Sequence, residues 1–521
     1  MWGLYSDMRA LVAYNTNASM LRFKTSPTNP VASQVINAHL IVRDQQIVPG
    51  KIEVKDDIIE AQAHAQTNFA LCLLYDAGKA GRLMLQTPML PSRPEPYILP
   101  LELARYRIKL FLDKSEEWSM FDLSADHAAT VKWEKARTIF TTALVSIDEK
   151  EVFELAREAL RHAIDANEQL ALAHADLLLH RRYTTKCASS STLGVRVHAS
   201  RFDKPLRDLV AKNMDLVSIP IPWDQIEPEQ GKFNWEATDQ WVKWAHRKGK
   251  NIIAGPLLDF SNKDAIPQWV RAWEHDFAEF KDRCYDFVER VIQRYGGAIS
   301  FWNITSGINT NAHVRLSVPN MVDLIRTAAL VVRQARRDAR VMIEIVDPFS
   351  EFVSTDTDAV SVQVFWLRLQ QEGVNLDALG VQVLGGAGGG RATRDLMEYS
   401  AMLDRFFLYE IPLIISALGV PSEIIDERGG WWRLPWTEDC QQQWAGSMFF
   451  IALSKPYVES VIWTDLFEHK NPQLQSAAMV SKHGKPRLLL NRIVGMRRKL
   501  RQPLGERKLP SKEEAKTQNE S

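Results

Sequence analysis

The sequence predicts an α/β protein whose largest part is a (β/α)8 TIM barrel, preceded by an N-terminal β-sandwich domain and a helical connector. Three observations lead to this fold class. From Leu193 onward, short apolar runs alternate with amphipathic stretches of helical spacing. Eight such strand–helix pairs fit into about 300 residues, within the range of such barrels. Ahead of them lie a strand-rich segment and then an Ala/Leu-rich segment.

Composition narrows the classes of function. Hydrophobic residues make up 45% and charged residues 25% of the 521 residues, as in ordinary globular proteins. Lys+Arg and Asp+Glu number 64 each, so no excess charge directs the chain toward nucleic acid or anionic lipid. The four cysteines lie far apart and the 12 histidines form no metal-binding motif. We therefore expect no metal and no cofactor.

The N-terminal residues bear on location. The stretch MWGLYSDMRALVAYNTNASM lacks the basic start and unbroken apolar core of a signal peptide. No run approaches ~18 uninterrupted apolar residues, so we expect no membrane span. The sequence therefore predicts a cytoplasmic protein, with export by a non-standard route left open.

The predicted domain boundaries follow changes in local pattern. Residues 1–115 are predicted to be the β-sandwich, because short apolar or alternating runs are separated by turn sequences. Its candidate strands lie in KIEVKDDIIEAQAHA (51–65), FALCLLYD (69–76), GRLMLQTPML (81–90) and RYRIKLFLD (105–113). Residues 116–185 are predicted to be the helical connector, with Asp148 as an N-cap. The barrel is then predicted over 186–504, and a charged, disordered tail over 505–521.

The eight candidate barrel strands are apolar runs that end near polar or aromatic residues. They lie within 193–197, 216–223, 251–260, 299–305, 340–346, 378–384, 412–419 and 458–466. In such barrels the functional residues lie at the carboxyl ends of the strands. These ends are therefore where we look for a site.

At these strand ends the sequence resembles glycoside hydrolase family 10, the retaining β-1,4-xylanase family. Five pieces occur in the family's order, over about residues 190–500. They are WDQIEPEQGKFNW, YDFVERVIQRYGGAISFWNITSGIN, LGVQVL, LIISALGVPS and WAGSMFFIALSKPYVESVIWTDL. The strand-rich N-terminal domain is similar, in position and strand character, to the carbohydrate-binding modules that often precede such barrels. The resemblance thus implies a barrel that acts on or binds a β-linked glycan.

The resemblance also implies two catalytic glutamates about 5–5.5 Å apart, a nucleophile and a general acid/base. Alignment with the family's motifs places Gly307 at the acid/base position and Ala417 at the nucleophile position. Neither residue can donate a proton or attack an anomeric carbon. The positions that would hold the reacting sugar are also replaced, by Ser218, Ile219, Pro222, Pro256, Phe260, Ser261 and Leu384. The family's glutamine on the sixth strand remains, as Gln382.

Carboxylates at other strand ends leave open a relocated catalytic pair. Asp259 ends the third strand and Asp347 the fifth, and both follow strongly apolar runs. The alternative is that such residues cap helices or hold loops through hydrogen bonds, which is the commoner role. Asp259 and Asp347 are therefore weak catalytic candidates.

Aromatic side chains are the candidates for glycan binding, because flat rings stack on the apolar faces of sugars. Of the 16 tryptophans, 13 lie from Trp223 onward. The strand-end candidates are Trp223, Phe260, Trp302 and Trp463, and the loop after the seventh strand adds Trp431, Trp432 and Trp436. The alternative for Trp223, Trp302 and Trp463 is that they plug the top of the barrel.

The sequence therefore predicts a catalytically degenerate relative of xylanases that binds a β-linked glycan, or a protein partner, on the carboxyl face of its barrel. Two alternatives remain open. One is an active glycosidase with relocated carboxylates. The other is a structural or interaction protein with no ligand.

Overall fold

The structure is a computed structural model that describes residues 19–25, 35, 37–63, 68–184, 192–356, 358–471 and 473–501. The predicted tail at 505–521 lies outside these residues. Among the described residues, no helix is both long enough and apolar enough to cross a membrane.

Two small sheets form the N-terminal domain. Their strands are β1 Ser19–Lys24, β2 His39–Ile41, β3 Ile47–Val48, β4 Gly50–Lys55, β5 Ile58–Ala63, β6 Ala70–Asp76, β7 Gly81–Gln86 and β8 Tyr97–Ile98. One sheet has the order β4-β5-β1-β8, and the other contains β7-β6-β2-β3. Phe23 of one sheet and Leu71 and Leu73 of the other share a single buried core. The predicted β-sandwich is confirmed.

One predicted strand of this domain is wrong. Residues 105–113 lie inside a helix, α1 Leu99–Glu117. Its buried residues include Leu103, Arg107, Phe111 and Ser115, which recur every four positions along one helix face. The run RYRIKLFLD is apolar enough to resemble a strand, but its pattern has the helical period. The helical layer therefore begins at Leu99, before the predicted boundary at 116.

Three helices connect the sandwich to the barrel. After α1 come α2 Ala128–Val145 and α3 Glu149–Thr184, which pack on one another. The 36-residue α3 contributes to both hydrophobic cores. Leu160 and Ile164 belong to the core of the sandwich, whereas Leu170 and Ala171 belong to the core of the barrel. This helix therefore joins the two domains through buried contacts.

Within the described residues, eight parallel strands close into the barrel, and all eight predicted strands are confirmed. The strands are β9 Leu193–Arg196, β10 Leu216–Ile219, β11 Asn251–Ala254 with its continuation β12 Leu258–Asp259, β13 Phe301–Ser306, β14 Arg340–Ile345, β15 Ala378–Leu384, β16 Leu413–Gly419 and, after the short β17 Trp431–Trp432, β18 Val458–Trp463. Pairing of β9 with β18 and of β11 with β13 closes the ring.

Helices surround these strands, and most of the longer ones are amphipathic. They are α4 Lys204–Asn213, α5 Trp223–Ile226, α6 Glu236–Arg247, α7 Gln268–Arg271, α8 Phe277–Tyr295, α9 Val318–Ala335, α10 Val362–Gln371, α11 Leu396–Phe407, α12 Glu438–Ser454 and α13 Leu488–Arg501. Several begin at a capping side chain, as when Asp276 accepts from the backbone N–H groups of Ala278 and Glu279. The caps fix where each loop from the barrel mouth enters its helix.

An apolar layer inside the barrel sets which residues reach its mouth. This layer consists of Leu216, Ile253, Met342, Ala378, Ile414 and Ile462. Side chains alternate along a strand, so residues two or four positions later point inward one or two layers closer to the carboxyl ends. That rule places Glu344 and Gln382 above the apolar layer, at the floor of the mouth.

Candidate functional site

A cavity of about 210 Å³ opens at the carboxyl ends of the barrel strands, and we call it the mouth pocket. Its polar lining comes from several strands and from the loops that follow them. Among the lining residues are Arg196, Asp259, Glu344, Gln382, Asp465 and His469. This is the position where barrels of this kind carry their functional residues.

The floor of the pocket is a buried ion pair. Arg196 Nη2 lies 2.9 Å from Glu344 Oε1, and Glu344 Oε2 accepts from Ser306 Oγ at 2.7 Å and from Gln382 Nε2 at 2.9 Å. Burial would raise the pKa of Glu344, but the Arg196 charge and these hydrogen bonds outweigh it and hold the pKa below its usual value. Glu344 is therefore ionised and engaged at both oxygens.

Asp259 lies on the wall of the pocket. Its Oδ1 accepts from the backbone N–H of Ser261 at 2.8 Å and from Ser261 Oγ at 2.6 Å. Gln473 Nε2 in turn donates to Ser261 Oγ at 2.8 Å, from the loop after β18. Burial raises the pKa of Asp259 to about 6. This carboxyl therefore exchanges a proton near neutral pH.

Asp465 and two histidines form another part of the wall. Asn471 Nδ2 donates to Asp465 Oδ2 at 2.9 Å, and His469 Nε2 lies 3.6 Å from Asp465 Oδ1. The His469 ring lies against His198 with centroids 4.2 Å apart. Burial raises the pKa of Asp465 and lowers that of His198 to about 4. His198 is therefore neutral at pH 7.

The two positions aligned with the family's glutamates have no room for a carboxylate. Gly307 has φ +67°, and a Cβ added there would lie 3.0 Å from Ser261 Cβ. Ala417 is fully buried in a small apolar cluster with Leu384, Leu474 and Ala477. A longer side chain at either position must displace neighbouring protein.

The cover over Ala417 is the segment after β18, residues 464–471 and 473–487, which we call the strap. Trp463 Nε1 donates to the carbonyl of Ala477 at 2.6 Å, and Ser422 donates through its backbone N–H to the carbonyl of Ser476 at 2.9 Å. Gln473 reaches across the mouth to Ser261. The strap therefore fills the part of the mouth above β16 and leaves the mouth pocket beside it.

The two relocated candidates do not lie in one place. Asp259 lines the mouth pocket, and Asp347 does not. A Cβ added to Gly390 would lie 2.6 Å from Asp347 Oδ2, so the glycine-rich loop after β15 closes over this carboxyl. Burial, reinforced by the charge of Glu351, raises the pKa of Asp347 to about 7. The two aspartates therefore do not form a pair across the pocket.

The strand-end aromatic candidates are buried. Trp223, Phe260, Trp302 and Trp463 are each at most 3% exposed. Trp223 stacks on Phe287 with ring centroids 4.5 Å apart and donates to Glu227 Oε2 at 3.0 Å. It also lines the mouth pocket. This burial favours the plug interpretation for Trp223, Trp302 and Trp463, and of the four rings only Trp223 lines the pocket.

The Trp431–Trp436 loop contacts the sandwich. Trp431 and Trp432 form β17, which pairs antiparallel with β7 and extends the second N-terminal sheet. Trp432 Nε1 donates to Glu168 Oε1 on α3 at 2.6 Å, and Trp436 Nε1 donates to the carbonyl of Gly430 at 2.9 Å. Both rings are buried. Neither can stack on a sugar unless this loop leaves the sandwich.

Sequence reasoning missed Arg196 and Glu344, which build the floor of the pocket. Each sits in an apolar strand, two residues after a position that faces inward, in LGVR and MIE. The sequence signal that could have identified them is a charged residue at a strand position whose side chain points into the barrel. Their pairing could not be predicted from the sequence, because the two residues are 148 positions apart.

A closed (β/α)8 barrel with charged residues at the carboxyl ends of its strands is typical of TIM-barrel proteins. The sequence model of the family described as "Glycosyl hydrolase family 10" matches residues 182–445, about half of the chain. The chain belongs to this family.

Characterised relatives agree with this assignment. The chain is 23% identical over 169 residues to endo-1,4-beta-xylanase B of Thermotoga neapolitana, covering 31% of this chain and 46% of the relative. It is 25% identical over 185 residues to endo-1,4-beta-xylanase 3 of Hypocrea jecorina, covering 35% and 51%. The chain thus spans about half the length of these relatives.

Comparison with solved structures gives matches to proteins named as xylanases. Xylanase B from Clostridium stercorarium F9 is 14% identical, with 59% of this chain and 99% of that chain covered and a TM-score of 0.44. Native xylanase 10B from Thermotoga maritima is 15% identical, with 61% and 98% covered and a TM-score of 0.46.

Proposed function

We propose that this family 10 barrel binds a small β-linked glycan unit in its mouth pocket and does not hydrolyse it through the family's glutamate pair. One observation carries the proposal. The aligned catalytic positions are Gly307 and Ala417, and Ala417 is packed beneath the strap, while a polar cavity remains open beside it. Loss of both carboxylates removes the acid/base and the covalent routes together.

The size of the pocket limits its ligand. Sites for drug-sized molecules usually measure ~300–1,000 Å³. The mouth pocket is smaller, at about 210 Å³. A single sugar ring, or one terminal unit of a longer chain, is the size of ligand that this supports. Its lining of carboxylates, amides and imidazoles supports a ligand rich in hydroxyl groups.

The test combines binding with product release. Ligand-observed NMR would follow xylose, xylobiose and glucose with the parent protein, His469→Ala and His483→Ala. Both histidines lie on the strap, but His469 lines the pocket and His483 is exposed and does not. We expect binding that His469→Ala weakens and His483→Ala leaves unchanged, with no sugar released from β-linked polysaccharides or aryl glycosides.

The possible results separate the three functions that the sequence left open. Release of sugar by the parent would contradict the proposal and favour an active glycosidase. Absence of both binding and release would leave a structural or partner-binding role. Binding that both histidine variants retain would place the ligand outside the mouth pocket.

A second candidate, hydrolysis by relocated carboxylates, is favoured by one observation. The mouth pocket holds one carboxyl with a raised pKa, Asp259, and one with a lowered pKa, Glu344. A general acid and a carboxylate base or nucleophile need such different pKa values. Against it, the Glu344 side chain has no exposed surface, and both of its oxygens accept hydrogen bonds. Asp224 and Asp465 are the other lining carboxylates that could act with Asp259.

This candidate has its own test. If the parent releases an aryl glycoside's leaving group, Asp259→Asn should abolish the release and Asp264→Asn should not. Asp264 is exposed on the same loop and does not line the pocket. Equal activity of both variants would exclude Asp259 as the catalytic acid.

A further inference from the structure

The mouth pocket is lined by more anionic than cationic side chains. Its acidic lining residues are Asp224, Asp259, Glu344 and Asp465, and its Lys/Arg lining residues are Arg196 and Lys470. Arg196 is paired with Glu344. Lys470 is exposed at the rim. In the described part of the chain, neither Asp259 nor Asp465 forms an ion pair with a lysine or arginine. The pocket therefore attracts positive charge.

A second observation, independent of charge, points to a ligand with hydrogen-bond donors. Gln382 lines the pocket and is 1% exposed. Its Nε2 donates to Glu344, whereas its Oε1 accepts from no donor among the described residues. A buried amide oxygen without a donor is costly unless a ligand or water supplies one. The ligand should therefore offer an N–H or O–H group.

Arg196 adds a second requirement, which is a hydrogen-bond acceptor on the ligand. Its Nε donates to no acceptor within the described residues, although its Nη2 pairs with Glu344. A ligand that only donates would leave this group unsatisfied. A hydroxyl group can both donate and accept, so hydroxyl groups together with a positive charge match the whole lining. A simple alkylamine provides the charge and N–H donors but no acceptor for Arg196.

From these groups, we propose that the mouth pocket takes a single protonated amino sugar, with its ammonium group held by Asp259 and Asp465 and its hydroxyl groups by Gln382 and Arg196. This assignment rests on the function proposed above and gives the chemical class of its ligand. The ion pair between Arg196 and Glu344 holds the floor, while the two aspartates on the wall recognise the charge.

The test is isothermal titration calorimetry at pH 7 with four probes: D-glucosamine, D-glucose, N-acetyl-D-glucosamine and cyclohexylamine. The first two differ chiefly in the ammonium group, the third removes the charge from the nitrogen, and the fourth keeps the charge without hydroxyl groups. We expect glucosamine to bind at least about tenfold more tightly than the others, because charge-assisted hydrogen bonds are the stronger kind.

Asp259→Asn is the main variant. An asparagine oxygen can still accept from Ser261, so the loop keeps its hydrogen bonds while the charge is lost. We expect this variant to lose most of the preference for glucosamine over glucose, with Asp465 retaining the remainder. Asp264→Asn, on the same loop but outside the pocket, should retain the parent's preference. If Asp259→Asn does not fold, judged by its melting transition, Asp224→Asn removes another lining charge and should reduce the preference in the same direction.

Each other outcome overturns a defined part of this reasoning. Equal binding of glucose and glucosamine would overturn the amino-sugar assignment and leave sugar binding in place. Equal binding of cyclohexylamine would show that charge alone is recognised, which also overturns it. If none of these probes binds, and neither xylose nor xylobiose does, the assignment and the proposed function both fail.

Discussion

Introducing glutamates at Gly307 and Ala417, the positions that the sequence resemblance aligns with the family's pair, should not produce a xylanase. In a family defined by a glutamate pair, Gly307→Glu with Ala417→Glu is the obvious reconstruction. The structure predicts that it destabilises the barrel, because Ala417 is enclosed by Leu384, Leu474 and Ala477. None of these three side chains can donate a hydrogen bond to a carboxylate.

The expected cost of Ala417→Glu can be worked from this environment. A glutamic acid buried without a partner will take up a proton rather than remain charged. Holding a carboxyl with an ordinary pKa near 4.3 protonated at pH 7 costs about 3.7 kcal/mol, at 1.36 kcal/mol per pH unit. Steric displacement of the strap adds about 1–3 kcal/mol. Gly307→Glu adds about 1–2 kcal/mol more, because φ is +67° there.

The assay is urea unfolding of the parent, Ala417→Glu and Ala417→Gln at pH 4 and pH 7. Glutamine matches the size of glutamate without its charge, so it isolates the steric cost. We expect the glutamate variant to be less stable than the glutamine variant by about 3–4 kcal/mol at pH 7 and by little at pH 4. The paired reconstruction should release no sugar from xylan.

The reasoning would be refuted by a double variant that is as stable as the parent and cleaves xylan. Such a result would mean that the strap moves off Ala417 at little cost. Equal stability of the glutamate and glutamine variants at pH 7 would also contradict it, since the new carboxylate would then be solvated or paired.

Three further predictions concern other contacts. Glu344→Gln should cost about 3–5 kcal/mol of unfolding free energy, because it leaves Arg196 buried without its counter-charge; Arg196→Met with Glu344→Met should cost less. Asp259 has a raised pKa, so its contribution to stability is complete below the unfolded pKa of about 3.9 and is lost as pH rises through about 6. Asp259→Asn should therefore gain stability relative to the parent between pH 4 and pH 7 in urea titrations at each pH. Trp432→Phe removes the indole donor to Glu168 and should cost about 1–3 kcal/mol by the same assay, with sugar affinity unchanged in calorimetry.

The barrel was predictable because its strands are apolar on nearly every position. Apolar runs such as those of β14 and β16 alternate with amphipathic helices, and few folds other than a parallel α/β fold have this alternation. The strand assigned to residues 105–113 was wrong for a related reason, since a short apolar run fits both periods until its partners are known. Residues 105–113 are helical because one face of α1 packs on α3, and this contact between distant segments cannot be predicted from the local sequence.

The candidate site was predictable only in its location. Asp259 was found because it ends a predicted strand, and Gln382 because it matches the family's glutamine on the sixth strand. Trp432 and Trp436 were predicted only as glycan-binding candidates. Both are buried, in a loop whose β17 pairs with β7, some 350 residues earlier in the chain. Single-sequence patterns describe neighbours along the chain, so a loop that joins another domain's sheet looks like any aromatic loop.

The contacts at the barrel mouth fall into two groups, those that stabilise the barrel and those that a ligand can change. The apolar layer beneath and the Arg196–Glu344 pair above it make contacts that a ligand cannot replace without unfolding part of the core. Asp259 is different, because among the described residues it forms no ion pair with a lysine or arginine, and a nearby positive charge would stabilise its ionised form. Its link to the strap, through Ser261 and Gln473, consists of two hydrogen bonds. Binding at Asp259 is therefore expected to alter the strap first, and the barrel floor least.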